Sequence, residues 1–232
     1  MYIILKQLQS VKIIIIEGCD NLGKSTLIAN LTKYYNQKYN VIIKHSGKPP
    51  KSDDPLKTQY NYFINEVDNL IKYKNCIETF ETKETLVIYD RFVQGEYVWG
   101  SLYRNYSLDD IKNKCVEPVI SKLINNIGND NIISILLDAD DYFIYYNDDG
   151  LSFSSHANMD DAIELIKRQR KIFNETMTDV IKYSAFNNNI IYNVQNTDSL
   201  YSYGDFIFRP ENIILKSITD KINEKIGINN DN

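Results

Sequence analysis

A glycine-rich segment that ends in lysine and serine is the part of the sequence whose residue types and spacing indicate the clearest chemistry. Residues 18–25 read GCDNLGKS, which matches the pattern G-x-x-x-x-G-K-[ST], and they follow the apolar run VKIIIIE. The backbone N–H groups of such a loop form a nest for anions, and the helix after it directs the positive end of its dipole at the same place. In this pattern the lysine reaches the β- and γ-phosphates of a nucleotide, and the serine hydroxyl binds Mg²⁺.

The loop therefore predicts a nucleoside triphosphate site with ATP as phosphoryl donor and Mg²⁺ as cofactor. Its two glycines allow the turns and the close approach of the backbone to phosphate, and Ser25 is the predicted metal ligand within the loop. The predicted ATP-binding residues are Gly18, Asn21, Leu22, Gly23, Lys24, Ser25 and Thr26.

An aspartate and an arginine follow a second apolar run, residues 85–89. The carboxyl end of a parallel strand opens into the crevice where α/β proteins bind their ligands. Asp90 is therefore predicted to hold Mg²⁺ through a water, and Arg91 to bridge the donor and acceptor phosphates. The alternative is a charge pair that only ends a strand.

These segments resemble the thymidylate kinase family. Residues 17–26 are similar to that family's phosphate loop, usually written EGxDGxGKST, and Asp90-Arg91-Phe92 resembles its DRY or DRH motif. Residues 95–104 look like the form seen in phage and viral thymidylate-kinase-like proteins. Weaker similarity at residues 136–140 and 167–173 extends the resemblance over about residues 11–200.

The resemblance implies roles for individual residues. Asp20 would accept a hydrogen bond from the 3′-hydroxyl of an acceptor deoxynucleotide, and Arg91 would contact the phosphates at the transfer point. Lys48, or else Lys51, would stand where the family has an arginine that grips the acceptor phosphate. The predicted catalytic residues are Lys24, Arg91 and Arg170. The predicted substrate-binding residues are Asp20, Lys48, Arg91, Tyr97 and Arg104, of which Tyr97 could wall the sugar pocket or pack in the core, and Arg104 could bind the acceptor phosphate.

One departure from the family pattern concerns the catalytic arginine. Thymidylate kinases usually place it in the lid or in the phosphate loop, but residues 147–161 contain no Arg or Lys, and residues 19–22 contain no Arg. An arginine finger can be worth about 10³–10⁵ in rate. Arg104, Arg168 or Arg170 could supply this charge.

A second departure concerns the base. The helix predicted over residues 56–73 lacks the arginine that normally reads the thymine carbonyl. Gln59, Asn61 or Asn65 could bind a base instead, and Tyr60 or Phe63 could stack on it, so the base specificity stays open.

The elements that must position these residues alternate between strand and helix. Strands are predicted at 11–17, 39–44, 85–90, 131–138 and 189–194, with helices from Lys24 and over 56–73, 107–127, 160–183 and from Pro210. This alternation predicts an α/β P-loop NTPase fold with a parallel sheet of about five strands and helices on both faces. We expect a single domain over residues 1–232, with a core of 11–226 and a short lid at 146–159.

Composition and charge exclude several classes of protein. Only 3 cysteines occur, without a CxxC pair, which excludes a disulfide scaffold. The longest run of aliphatic residues spans residues 13–16, whereas a membrane helix needs about 20 apolar residues, and the N-terminus lacks a signal-peptide pattern. The net charge of −5 argues against a nucleic-acid partner, although a local basic groove is left open. We expect a cytoplasmic protein, and the Asn-, Ile- and Lys-rich composition indicates an AT-rich viral, phage or protist genome.

These observations predict a nucleoside monophosphate kinase that transfers the γ-phosphoryl group of ATP to a deoxynucleoside 5′-monophosphate, with dTMP as the first candidate. Its partners are small-molecule nucleotides, and the resemblance implies a homodimer. Three alternatives stay open: a nucleoside kinase, a kinase of hydroxymethylated bases in DNA, and a nucleotide-binding module without catalysis. A nucleoside kinase needs a base for its hydroxyl acceptor, often a carboxylate at the end of the second strand, and that strand here ends in Lys44-His45.

Overall fold

The core of the protein is a sheet of five parallel strands in the order β2-β3-β1-β4-β5. The computed structural model describes residues 11–47, 51–77, 83–147, 158–183, 185–195, 202–203, 206–207 and 211–225. The strands are β1 Val11–Glu17, β2 Asn40–His45, β3 Thr85–Asp90, β4 Ile132–Asp138 and β5 Asn189–Asn193. A short antiparallel pair, β6 Ser202–Tyr203 and β7 Phe206–Ile207, was not predicted.

Helices connect the strands and cover both faces of the sheet. They are α1 Lys24–Tyr35, α2 Pro55–Ile77, α3 Glu96–Arg104, α4 Leu108–Ile111, α5 Glu117–Ile127, α6 Asp141–Tyr146, α7 Met159–Thr178, α8 Val180–Tyr183 and α9 Glu211–Lys225. The predicted α/β fold with a parallel five-stranded sheet and helices on both faces is thereby confirmed. No helix in the described ranges is long and apolar enough to cross a membrane.

The central strand β1 explains why the two faces form separate cores. Its residues 13–16 are four isoleucines, each 0% exposed, as expected for a strand covered on both sides. Because side chains alternate along a strand, Ile14 and Ile16 pack with α1, α7 and α9, whereas Ile13 and Ile15 pack with α2, α3 and α5.

The helix predicted over 107–127 is interrupted by a π-helical segment, Lys112–Val116. Ser107 caps its start as predicted, since its side chain accepts a hydrogen bond from the backbone N of Asp110. The segment ends just before Pro118, which has no N–H to give to the carbonyl four residues earlier. A π-helical turn accommodates this loss within one continuous helical path.

The helix predicted over 160–183 also differs, because it divides into α7 and α8. Asp179 lies between them, and its side chain accepts a hydrogen bond from the backbone N of Lys182 at 2.7 Å, so it caps α8. Before α7, Asn158 caps the helix through the backbone N of Asp161. The predicted lid falls mostly on residues 148–157, which lie outside the described residues.

Candidate phosphoryl-transfer site

All five strands are parallel, so their carboxyl ends meet at one edge of the sheet, and the loop between β1 and α1 lies at this edge. Three residues of this loop have left-handed backbone: Gly18 at φ 140°, Asn21 at φ 65° and Gly23 at φ 75°. A Cβ atom on Gly18 would lie 2.5 Å from the carbonyl oxygen of Leu137. The loop therefore passes directly against the backbone of β4, and only glycine fits at its first position.

We expect Gly18→Ala to lower the free energy of unfolding by about 2 kcal/mol or more, since left-handed strain and overpacking each cost about 1–3 kcal/mol. Urea unfolding followed by circular dichroism measures the change. The control is Gly47→Ala, where the new methyl group would meet only the His45 ring, at 3.7 Å or more. Equal stability of the Gly18 variant and the parent would contradict the contact with β4.

Lys24 lies inside this loop and is only 7% exposed. Its Nζ donates hydrogen bonds to the carbonyl oxygens of Cys19 at 2.6 Å and Gly18 at 3.2 Å, and it lies 3.9 Å from Oδ1 of Asp20. Burial lowers the pKa of Lys24, and the nearby charge of Arg91 lowers it further. The loop's own carbonyls thus hold the ammonium group at the place where the motif positions the β- and γ-phosphates.

A pocket of about 330 Å³ opens in front of the loop and collects most of the predicted site residues. It is lined by Asp20, Asn21, Gly23, Lys24, Ser25, Thr26, His45, Asp90 and Arg91. Neither Gly18 nor Leu22 contributes to this lining. Leu22 is buried in the core next to Cys19, so its side chain packs, and only its backbone remains as a nucleotide contact.

Asp90 and His45 meet at the edge of this pocket. They are paired residues of the neighbouring strands β3 and β2, and Nδ1 of His45 lies 2.9 Å from Oδ2 of Asp90. His45 was not among the predicted site residues, because it lacks metal-ligand spacing to another histidine or cysteine. The contact forms because β2 lies beside β3, and no local pattern in the sequence predicts that strand order.

The pocket has donors suited to a Mg²⁺ ion that is shared with a nucleotide. The hydroxyl of Ser25 and the carboxylate of Asp90 both line it, and hard cations prefer oxygen ligands. Within the described ranges, no three His, Cys, Asp or Glu residues are grouped so that they could hold a metal by themselves. Mg²⁺ commonly takes one or two protein ligands together with phosphates and waters, and Ser25 and Asp90 offer two such ligands.

Arg91 follows β3 in a left-handed conformation, with φ 69°. Its guanidinium group forms an ion pair with Asp20, and it lies over the ring of Trp99 at 4.6 Å from the ring centroid. The two residues that the resemblance placed on the acceptor nucleotide are thus paired with each other at the pocket.

Arg104 is bound by a buried carboxylate and does not line the pocket. Its two terminal nitrogens donate to Glu96 at 2.6 and 3.3 Å, and Nε2 of Gln59 donates to the same carboxylate at 3.0 Å. Glu96 is only 3% exposed. Burial raises its pKa, and the charge of Arg104 partly offsets this effect. Gln59, a predicted contact of the base, is therefore tied to α3.

Arg170 lies on α7 and is bound by two aspartates. It donates to both oxygens of Asp138, at 2.7 and 3.0 Å, and to Asp141. The hydrogen bonds that Arg170 donates to these carboxylates raise its pKa above the usual range. Its charge is thus already neutralised at the end of β4, and it does not line the pocket.

One further predicted substrate contact is not at the pocket, and another lies outside the described residues. Tyr97 is 0% exposed, and its hydroxyl donates to the carbonyl oxygen of Tyr183 at 2.9 Å. The side chain packs in the core, which is the alternative to the predicted sugar-pocket wall, and it does not line the pocket described above. Lys48 lies outside the described residues.

Glu17, the last residue of β1, is a buried carboxylate beside the site. It is 0% exposed, and burial raises its pKa to about 7, although the backbone N–H of Phe92 and the charges of Arg91 and Lys24 act in the opposite direction. Its Oε1 accepts the hydrogen bond from Phe92 at 2.7 Å. From the sequence alone, Glu17 was only the first residue of the phosphate-loop motif.

We expect Glu17→Gln to raise the free energy of unfolding relative to the parent at pH 8 and to change it little near pH 4. Folding of the parent takes up a proton between the ordinary pKa of 4.5 and the folded-state value of about 7. The favourable contribution is therefore complete below pH 4.5 and is lost as the pH rises through about 7. The difference amounts to on the order of 3 kcal/mol at most.

Urea unfolding at pH 5 to 8 tests this expectation, with the exposed Glu224→Gln as control. The gap between the Glu17 variant and the parent should widen as the pH rises, whereas the control should follow the parent. A constant gap at all pH values would contradict a raised pKa at this position.

Comparison with known proteins supports the fold. No protein-family model and no curated protein sequence matches the chain. The thymidylate kinase of Ehrlichia chaffeensis is similar in structure over 92% of this chain and 99% of its own, with 14% identity and a TM-score of 0.49. The YorR protein of Bacillus subtilis, solved in complex with phosphorylated GDP, is similar over 90% of this chain and 95% of its own, with 20% identity and a TM-score of 0.51.

The strand order and the phosphate loop, together with the likeness to the YorR protein, define an α/β P-loop NTPase fold. This fold class was predicted from the sequence.

Proposed function

We propose that the protein is a nucleotide kinase that transfers the γ-phosphoryl group of ATP, with Mg²⁺, to the 5′-phosphate of a deoxynucleoside monophosphate. The observation that carries this proposal is the shared pocket. It brings Lys24 and Ser25 of the phosphate loop together with Asp90 and Arg91 from the end of β3. A cation, two oxygen donors for a metal and an arginine are the groups that phosphoryl transfer requires.

The chain's residues act by positioning and by charge, because phosphoryl transfer needs little covalent chemistry from the protein. Lys24 follows the transferring group, and the oxygens of Ser25 and Asp90 hold Mg²⁺, which neutralises charge on the phosphates. Arg91 lies on the acceptor side and stabilises the charge that develops during transfer. Asp20 holds the guanidinium group there and is the proposed contact of the acceptor 3′-hydroxyl.

The acceptor proposed first is dTMP, because the phosphate loop and the Asp90-Arg91-Phe92 segment resemble those of thymidylate kinases. By the same resemblance we propose a homodimer, with Lys48 as the grip on the acceptor phosphate. Sedimentation equilibrium tests the oligomeric state, and a monomer at all concentrations would contradict this part of the proposal.

A second candidate is a kinase whose acceptor is a hydroxyl group, either of a nucleoside or of a hydroxymethylated base in DNA. The contact between His45 and Asp90 favours it, since the imidazole lines the pocket and is oriented by a carboxylate. A hydroxyl acceptor needs a proton acceptor, whereas a monophosphate oxygen is already ionised. His45 would take the role that a carboxylate plays in other hydroxyl kinases.

An ADP-release assay with ATP and Mg²⁺ distinguishes these functions. The acceptor panel contains the common ribo- and deoxynucleoside monophosphates, 5-hydroxymethyl-dUMP, thymidine, and DNA with hydroxymethyluracil. Turnover with dTMP or another monophosphate, lost in Lys24→Ala, supports the first proposal. Turnover only with thymidine or DNA, lost in His45→Asn, would replace it with the second. ATP binding without turnover on any acceptor would contradict both and indicate a non-catalytic module.

A further inference from the structure

The turn that carries Arg91 is attached to β1 by two hydrogen bonds. The backbone N of Arg91 donates to the carbonyl oxygen of Ile16 at 3.0 Å, and the backbone N of Phe92 donates to Oε1 of Glu17 at 2.7 Å. One of these bonds is made by backbone alone, whereas the other depends on a side chain. Glu17 is therefore the side chain of β1 that decides how firmly this turn is held.

The turn needs such a restraint because Arg91 is in the left-handed region, at φ 69°. This conformation costs a residue with a Cβ atom about 1–2 kcal/mol, and it persists where the surroundings enforce it. The direction in which the arginine side chain leaves the backbone follows from this φ angle. Loss of the Phe92 hydrogen bond would let the turn relax and would redirect the guanidinium group.

A second contact leads from Glu17 to the other end of the arginine. A Cβ atom on Gly95 would lie 3.3 Å from both carboxylate oxygens of Glu17 and 3.2 Å from Nε1 of Trp99. The ring of Trp99 in turn lies under the guanidinium group of Arg91. Glu17 and Trp99 thus meet at Gly95, and together they support both the backbone and the charged end of Arg91.

We propose that Glu17 is a positioning residue that directs Arg91 to the pocket. This inference rests on the proposed function for its kinetic part, because Arg91 is the group that would contact the phosphates. Glu17 is fully buried and does not line the pocket, so it acts through Phe92 and Trp99 rather than on a nucleotide. A role in directing Arg91 would give a functional reason for burying the Glu17 carboxylate at this point.

Fluorescence tests the structural part without any nucleotide. Trp99 is the single tryptophan of the chain, so the emission reports on the ring beneath Arg91. We expect Arg91→Ala and Glu17→Leu to shift the emission and to raise the acrylamide quenching constant in the same direction. Glu17→Gln retains an oxygen acceptor for the Phe92 N–H and should keep the parent spectrum.

Gly95→Ala is the variant that tests the contact without removing a polar group. Gly95 has helical backbone, with φ −57° and ψ −21°, so alanine suits its conformation, and only the close contacts with Glu17 and Trp99 change. We expect a shifted emission here as well. This variant decides the matter if Glu17→Leu does not fold.

Kinetics test the functional part with a double-mutant cycle. Glu17→Leu should lower kcat by about 10–100-fold with little change in the KM for ATP, because small misplacements of a catalytic group can cost about 100-fold. In the Arg91→Ala background it should lower kcat no further, since the group that it positions is gone. Glu17→Gln should restore most of the loss.

Unchanged emission and unchanged kcat in both Glu17→Leu and Gly95→Ala would overturn the inference. An equal loss of kcat with and without Arg91 would also overturn it, because Glu17 would then act independently of the arginine. If no acceptor is turned over by the parent, the proposed function fails, and the nucleotide-free emission still tests whether Glu17 positions Arg91.

Discussion

Arg91→Ala is expected to lower kcat for phosphoryl transfer by about 10³-fold or more, since an arginine that stabilises the transferring group contributes about 10³–10⁵. Arg91 is the arginine that lines the pocket among the described residues. Two of the arginines predicted to replace a lid arginine are bound elsewhere, Arg104 by Glu96 and Arg170 by Asp138 and Asp141. The loss should therefore be large, and steady-state kinetics on the best acceptor measures it.

Arg168, the third of these arginines, is exposed on α7 and does not line the pocket, so Arg168→Ala is the matched control and should leave kcat unchanged. The fold should survive the removal of Arg91, because its ion pair with Asp20 is partly exposed and such pairs contribute about 1 kcal/mol or less. Circular dichroism checks this point. A loss in kcat of less than about tenfold in Arg91→Ala would indicate that another cation supplies the catalytic charge.

Lys24→Ala is the second change with a large expected effect. We expect kcat to fall by about 10²–10³-fold, which is the loss seen when one preorganised donor to a transition state is removed. Lys24 is the cation inside the phosphate loop, and the loop carbonyls of Gly18 and Cys19 hold its Nζ in place. Its removal eliminates positive charge where the β- and γ-phosphates would lie. The KM for ATP should rise together with the fall in kcat, because ground-state binding uses the same contact.

Lys33→Ala serves as the control for Lys24, because Lys33 lies on the same helix in an exposed position. It should change neither kcat nor the KM for ATP. If Lys24→Ala kept parent kinetics on every acceptor, the loop would not be the donor site, and the proposed function would fail with it. A large loss in kcat with an unchanged KM for ATP would indicate that Lys24 stabilises only the transition state.

The buried network of Gln59, Glu96 and Arg104 limits how the acceptor can be recognised. Arg104 was predicted to bind the acceptor phosphate, but both its terminal nitrogens donate to Glu96. A buried carboxylate that loses its cation is strongly destabilising. A substrate that drew Arg104 away would therefore have to leave Glu96 with another positive charge. On this basis Arg91 is the stronger candidate for contact with the acceptor phosphate, and Arg104 for support of α3.

The local parts of the site follow directly from sequence. The G-x-x-x-x-G-K-S pattern after an apolar run specifies a strand, a loop of left-handed turns and a helix that begins at Lys24, and the structure has all three. The four consecutive isoleucines of β1 predict a strand covered on both faces, because only such a strand has apolar side chains in both directions. Alternation of strands and helices predicts the parallel sheet, whose carboxyl edge places Asp90 beside the loop.

The side-chain partners depend on tertiary structure, because they join residues that are distant in the chain. His45 meets Asp90 since β2 lies beside β3, and Arg170 meets Asp138 since α7 packs on β4. Tyr97 shows the same limit, because its helical spacing was compatible with a pocket wall, whereas its burial against Tyr183 places it in the core. By itself the sequence determined the strand–loop–helix that binds phosphate and the order of elements around it. Tertiary structure decided which charges are paired, and so which arginine faces the pocket, because pairing follows from strand order and helix packing rather than from local pattern.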